Sequence, residues 1–422
     1  MKHTAVGAIG MLAVLVVGLS GCGRAGSTDE TTGSSTTGGT ISGTVTMWAL
    51  GGDSELQDFV KTFEEANPGV TVEITEVPWD SAYTKVQTAI AAGNTPDLAV
   101  IPGAWNADFG YALESVPSDF DTSRFIPGAL QTSEVDGSLT GVPWALDVPV
   151  LYYRTDLAEQ AGWDHAPTTW AELKELASDY ISKAGTTWGM RFPGGGEGSF
   201  AGVAWLPVTN GAQLIDGDDW SFDTPEWSDA FDFWLSFYAD QLSDPLAVND
   251  LAAGLADFIS GDTPMLVTGP WMVGQLAAAG GDDIDSKYAT ALLPKAPGQS
   301  DSISVISTSN LVVFQDAENK DAAWKLIDWF SEADNQVAHY EYAGALPAAT
   351  AAWDDEVLAN DAKFSVFGEQ SKTSSFFPTV TTLTQIASIG DQLVEPMVRG
   401  TMTVEDALAS LQQQASEVGL GE

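Results

Sequence analysis

From Thr44 to Ile101 the apolar pattern alternates between the two-residue period of a strand and the roughly 3.6-residue period of a helix. That alternation limits the fold more than any other feature of the chain. Thr44 to Trp48 alternates polar and apolar residues. Ser54 and Gln57 form a capping box ahead of a helical stripe of Leu56, Phe59, Val60 and Phe63, and Asn67-Pro68-Gly69 ends it. Val70, Val72 and Ile74 alternate again. Tyr83, Val86 and Ile90 stripe a second helix that stops at Gly93, and Asp97 to Ile101 is a short apolar strand. Short links between such elements imply right-handed crossovers and a parallel sheet. Sheets of this kind bind ligands outside the carboxyl ends of their strands, here Trp48–Asp53, Val77–Asp80 and Pro102–Asn106.

A second unit starts near residue 148. Thr169 and Glu172 form another capping box before Leu173, Leu176, Ala177 and Tyr180. Pro225 opens a helix with Trp227, Phe231, Trp234 and Tyr238 on one face, a stripe that reads as core. Asn310 to Phe314 is a strand, and Ala323, Leu326, Ile327 and Phe330 stripe the following helix. Thr403 and Asp406 cap a last helix carrying Val404, Ala407, Leu408 and Leu411. The chain has no repeat of solenoid type.

The N-terminus carries a different signal. Lys2 and His3 precede an apolar run from Ala5 to Leu19, too short for a stable membrane span and suited to the hydrophobic part of a secretory signal. Leu19-Ser20-Gly21-Cys22 resembles the bacterial lipobox, which implies diacylglyceryl attachment to Cys22 and cleavage before it. The alternative is an ordinary signal peptide with a chance cysteine. Cys22 is the only cysteine, which excludes intramolecular disulfides and multi-cysteine metal sites. Residues 23 to 43 are mostly Gly, Ser and Thr, a composition that cannot offset its ordering entropy and suits a flexible tether. About 380 residues follow, enough for two or three domains.

The formal net charge of -43 argues against nucleic acid, against charge-driven docking on anionic lipid and mildly against an anionic ligand. Solubility or a salty exterior accounts for most of that charge. Most of the 15 tryptophans belong in the core, and some are suited to the apolar faces of neutral sugars, whose hydroxyl edges match nearby carboxylates. Catalysis is hard to assemble. Beyond the leader the histidines are His165 and His339, with no nucleophile, zinc or phosphate-loop motif beside them. Gly194-Gly195-Gly196 reads as a loop. Paired carboxylates suit glycoside hydrolysis, but among 59 acidic residues some fall together by chance. No cofactor and no metal site is expected.

Ordered landmarks run along the chain: VTMWALGGD, FEEANPGVTVEI, AAGNTPDL, GVPWALDVPVLYYRTDL with PTTWAEL, FISGDTPMLVTGPW, SNLVVF with DAAWKLIDWF, and GALPA. In this order they resemble the extracellular solute-binding proteins of ABC importers, the sugar-binding family of the maltose- and trehalose-binding type, over nearly everything from Thr44 onward. The resemblance implies an α/β, two-lobed periplasmic-binding-protein-like fold, with two parallel-type sheets flanked by helices and a hinge between the lobes. It places about 44–147 and 309–346 in the first lobe and 148–308 and 347–422 in the second. It also implies a monomer that closes over a ligand and delivers it to permease subunits with their ATPase, held on the outer face of the bacterial cytoplasmic membrane by lipid at Cys22.

Site residues follow from the same resemblance. Asp53 and Asp147 are carried over as acceptors of sugar hydroxyls, and Trp271 in Gly269-Pro270-Trp271 as a ring that stacks on a sugar. Trp105 and Trp79, with Asp80, follow strand ends that face the cleft, and Glu197 and Trp205 fall in a loop of further contacts. The chain departs from its relatives at Ser307-Thr308-Ser309, which replaces a frequent Gly-Gly pair, and at Thr384, which stands where an aromatic platform is common near Phe377 and Pro378. Ser54, not a basic residue, follows Asp53. These changes put maltodextrin specificity in doubt while leaving a neutral di- or oligosaccharide, an α-glucoside such as trehalose or maltose first. A β-linked or galactose-containing oligosaccharide on the same fold, and an anchored glycoside hydrolase or adhesin, stay open as alternatives.

Overall fold

The computed structural model describes residues 41–50 and 56–421, so Cys22, Asp53 and Ser54 lie outside the described residues. Thr40–Glu422 forms one compact unit that contains every hydrophobic cluster, which makes it a body able to fold alone.

Strand β1 (Gly43–Leu50) buries Val45, Met47 and Ala49 on one face, as its alternation requires. The next stripe forms two short helices, α1 (Leu56–Phe59) and α2 (Lys61–Ala66), with Leu56, Val60 and Phe63 fully buried. Strand β2 (Val70–Val77) runs parallel to β1. Helix α3 (Trp79–Ala92) ends at Gly93, whose φ of 62° is the left-handed cap that glycine takes without strain. Strand β3 (Leu98–Pro102) also lies parallel to β1 and leads into α4 (Ala104–Phe109).

Two strands then cross between halves of the molecule. Strand β4 (Val142–Asp147) belongs to the first sheet, and β5 (Val150–Arg154) to another. Strand β5 pairs antiparallel with β6 (Met265–Thr268) and with β7 (Tyr288–Ala291). The long strand β8 (Val305–Val313) returns to the first sheet, antiparallel to both β3 and β4. Strands β9 (Leu346–Pro347) and β10 (Ser375–Phe376) complete it. Among the described residues the order is β9-β4-β8-β3-β1-β2, with β10 on β8.

The fold is the expected two-lobed α/β arrangement, with one correction. Parallel pairing holds for β1, β2 and β3, but the second sheet is antiparallel throughout its three strands. The reason is connectivity. Strand β5 enters from the hinge, and its partners arrive through chain segments long enough to reverse direction. The strand expected over Asn310–Phe314 also begins five residues earlier, at Val305, because Val305 and Ile306 pair with Ser375 and Phe376, and Ser307-Thr308-Ser309 pairs with β4 in the hinge.

The second lobe is filled by aromatic rings. Trp227, Phe231 and Trp234 of the helix Pro225–Ala239 are at most 1 % exposed and edge-pack in sequence, as their helical spacing predicts. Truncating any one of them costs about 3–5 kcal/mol. Thr169 caps Trp170–Asp179 by accepting from the Glu172 amide, and the Glu172 carboxylate reaches back chiefly to the amide and hydroxyl of Thr168.

Candidate functional site

The crossing strands bring the hinge residues together. Ser307 stands opposite Asp147 in the β8–β4 ladder, Thr308 opposite Leu146, and Ser309 between Ala145 and Pro102. Asp147 ends β4, where the chain leaves one sheet for the other. Its Oδ1 is buried and has no hydrogen-bond partner among the described residues. Burial pushes the Asp147 carboxyl up to about 6, partly offset by a hydrogen bond from the Trp271 side chain. Trp271 opens the helix Trp271–Gly280 directly after Gly269-Pro270. A Cβ on Gly269 would stand 2.0 Å from Asp147 Oδ1 and 2.6 Å from Trp271 Nε1, so only glycine lets carboxylate and indole meet there. The Tyr152 hydroxyl donates to the Gly269 carbonyl at 2.8 Å and holds that turn from below.

A cavity of about 290 Å³ lies between the halves of the molecule and reaches the hinge at Ser307, the ladder partner of Asp147; neither Asp147 nor Trp271 lines it. Pro102, Gly103, Ala104 and Thr132 wall one side, with Ser307 and Thr308 along the hinge. Phe200, Ala204, Leu214, Phe222, Leu383 and Ile386 wall the other, and Phe377 and Pro378 close an end. A buried polar network supports its floor. Thr132 Oγ1 donates to the Ala129 carbonyl at 2.7 Å and lies 2.6 Å from Thr308 Oγ1. With its single proton so used, Thr132 accepts from Thr308 and, at 3.3 Å, from Asn310 Nδ2. Asn310 also donates to Asn106 Oδ1 at 2.8 Å, and Asn106 to Thr140 Oγ1 at 3.1 Å.

Aromatic rings flank α4. Trp79, 58 % exposed at the start of α3, lies over Trp105 at 5.8 Å and 19°. Tyr83 meets Trp105 edge-on at 5.1 Å. One turn further, Asp108 Oδ2 accepts from Thr384 Oγ1 at 2.9 Å, across the cavity from α4 to the helix Leu383–Val398. Burial raises the Asp108 carboxyl, against hydrogen bonds from Thr384 and Tyr83 that lower it. Tyr83 is itself pushed up to about 12, first by burial and then by Asp108.

The residues singled out in the sequence therefore fall into separate places. Asp147, Trp271 and Ser307 converge at the hinge, and Thr308 lines the cavity with its hydroxyl committed to Thr132. Trp79 and Trp105 form a pair beside Ala104, a residue of the cavity wall. Glu197 is exposed in a loop whose backbone is pinned by Asp391, which accepts from the Gly198 and Phe200 amides at 2.8 Å each. Trp205 is 4 % exposed inside the second-lobe core, 6.2 Å from the Phe192 ring. Sequence reasoning did not find Thr132, Asp108 or Phe200. Asp108 carries a usable signal, one acid in the otherwise apolar AWNADFG run, whereas Thr132 carries none.

The fold agrees with what is seen in other proteins. A binding protein of Brucella abortus is 27% identical over 394 residues, covering 92% of this chain and 93% of that protein. The maltotriose-binding protein of Pyrococcus abyssi is 25% identical over 356 residues, covering 80% of this chain and 73% of its own. The solved sugar-binding protein MalE of Xanthomonas citri superposes with a TM-score of 0.76 at 28% identity, over 89% of this chain and 97% of that one. The family model for bacterial extracellular solute-binding proteins matches residues 58–366, most of the chain, and the protein belongs to that family.

Proposed function

We propose that this protein captures a neutral di- or oligosaccharide in the cavity between its lobes and delivers it to the permease and ATPase subunits of an ABC importer. The observation that carries the reading is the buried, unpartnered Asp147 Oδ1 beside the Trp271 indole, with Asp147 opposite Ser307 of the cavity lining. A carboxylate accepts two sugar hydroxyls and an indole face covers the apolar side of a ring, so the pair suits a neutral sugar and repels an anion. The maltotriose ligand named for the Pyrococcus abyssi relative supports an α-glucoside, trehalose or maltose first, within that class.

In this reading the first lobe is about 44–147 with 309–346, and the second about 148–308 with 347–422. Trp79, Trp105, Ser307, Thr308 and Ser309 contribute from the first lobe and hinge, with the Glu197 loop beside them, and Asp53, outside the described residues, stays a candidate acceptor of a sugar hydroxyl. The protein works as a monomer, anchored by lipid at Cys22 to the outer face of the cytoplasmic membrane, and releases its ligand unchanged.

The test is a thermal-shift screen of residues 40–422 against neutral mono-, di- and oligosaccharides. A sugar at about 1,000 times its dissociation constant adds about 4 kcal/mol, a rise of several degrees. A shift confined to one sugar family supports the reading and names the solute. A flat screen, or turnover of a labelled oligosaccharide, removes it.

A further inference from the structure

The polar and apolar parts of the site are sharply divided. The polar end is the hinge, where Ser307 faces the cavity and neighbours Asp147 in the ladder. Away from that end the lining is mostly apolar, with Phe200, Leu214, Trp220, Phe222, Phe377 and Ile386, and its polar side chains are Thr132, Thr379 and Thr384. No carboxylate, amide or cation belongs to the lining among the described residues.

Its hydroxyls are nearly all engaged. Thr308 is bonded to Thr132. Thr384 donates to Asp108, and Thr379 donates to the Gln131 carbonyl at 3.2 Å. Ser307 alone among these side chains keeps a free hydroxyl proton. A fully hydroxylated sugar ring placed deep in this space would leave most of its hydroxyls unpaired, at about 1–3 kcal/mol each. The walls are also fixed in place. The Phe200 ring lies directly on the Gly390 backbone, where an added Cβ would come within 2.3 Å, and its other partners are Phe222, Trp227 and Phe231. A wall so packed keeps its shape and does not turn polar groups inward.

We infer that the cavity receives a hydroxyl-poor, apolar end of the solute, so that the ligand is an alkyl or aryl glycoside whose sugar lies at the Asp147–Trp271 end. This rests on the sugar reading above and narrows it from plain oligosaccharides to amphipathic ones.

The experiment is titration calorimetry of residues 40–422 with matched pairs: glucose, maltose, galactose and lactose, each against its 4-nitrophenyl glycoside in both anomers. For the sugar that binds, the aryl form is expected to bind at least about tenfold tighter, from the apolar area it buries. Ala387→Leu and, separately, Ala201→Leu intrude on the cavity from two sides. Either lining residue, once enlarged, is expected to weaken the aryl form by a larger factor than the parent sugar and so remove the aryl advantage, with an unchanged melting temperature certifying the fold. Equal affinity within every pair that binds, or a variant that weakens both members alike, overturns the inference and leaves the sugar reading standing. Binding of trehalose or maltotriose, titrated alongside, by a protein that binds neither member of any pair overturns the inference alone; silence from all of them overturns the sugar reading, and this inference with it.

Discussion

Thr384 Oγ1 lies 2.9 Å from Asp108 Oδ2, so the helix that follows β3 and the helix Leu383–Val398 are joined by a charge-assisted hydrogen bond across the cavity. The Thr379 hydroxyl, donating to the Gln131 backbone carbonyl, makes a second, neutral bridge. Both hold the two walls in register without adding a polar group to the space between them.

Thr384→Val removes the first bridge at nearly constant volume. Asp108 then keeps only Tyr83 as a partner and rises further, since burial already pushes it up. The expected result is a loss of about 1 kcal/mol in ligand affinity, roughly fivefold, with the melting temperature of the free protein little changed. Small-angle scattering checks the cause. The free variant should show a larger radius of gyration than the parent, and saturating ligand should restore the compact value.

Trp271→Ala tests the ring itself. Loss of a stacking aromatic in a desolvated site costs about 1–3 kcal/mol of binding. Trp271→Phe separates face from N–H, because phenylalanine keeps a stacking surface and gives up the bond to Asp147. The phenylalanine variant should bind at intermediate strength and show a higher Asp147 pKa by NMR titration. Equal affinity for parent, Phe and Ala forms would return Trp271 to a packing role.

Asp147 gives a pH signature of defined sign. Its carboxyl stands at about 6 in the folded protein against an ordinary 3.8, so the native state takes up a proton more readily than the unfolded chain. Its contribution to stability is therefore fully present below about pH 4 and is lost as the pH rises through about 6. Binding runs the other way. If the carboxylate accepts sugar hydroxyls, the competent fraction at pH 5 is about one tenth and the apparent dissociation constant rises about tenfold. Asp147→Asn should flatten both dependences and weaken binding at pH 7. Calorimetry and thermal melts between pH 4.5 and 7.5 read the two slopes separately from Asp108, whose own rise survives that substitution.

Cys22→Ser tests the anchor. With the thiol gone there is no site for the lipid, so the protein should leave the membrane fraction and appear in the medium. Metabolic labelling with a tagged fatty acid should mark the parent and not the variant. Retention of the variant on the membrane would point to a different anchor.

Much of this was legible because local patterns and packing agree. The β1 to β3 alternation, the caps at Thr169 and Thr403, and the Trp227 stripe each read directly into the structure, since period and cap chemistry are local properties. For the candidate site, Asp147 and Trp271 came from the family resemblance, and the structure brings the two side chains together at the hinge. Trp205 shows the limit. A tryptophan in a loop-rich stretch has the same letter whether it faces ligand or core, and here the short helix Trp205–Thr209 turns it inward. Thr132 was silent, and Thr384 was noted only as a missing aromatic, for another reason: their hydrogen bonds are to residues 176 and 276 positions away.

Gly269 carries the strictest prediction. Its backbone is not in the left-handed region, so alanine there is not opposed by the chain conformation. The opposition is contact alone, 2.0 Å to Asp147 Oδ1 and 2.6 Å to Trp271 Nε1. Gly269→Ala must therefore push carboxylate and indole apart, and at least about tenfold in sugar affinity should go with them, about 1.4 kcal/mol. Gly137→Ala is the control. At φ 75° with nothing within 4 Å, it should cost about 1 kcal/mol of stability through the backbone and leave affinity untouched. If both variants lose only stability, the Asp147–Trp271 pair is packing and not the sugar contact; if Gly269→Ala alone loses affinity, the ligand sits on that pair.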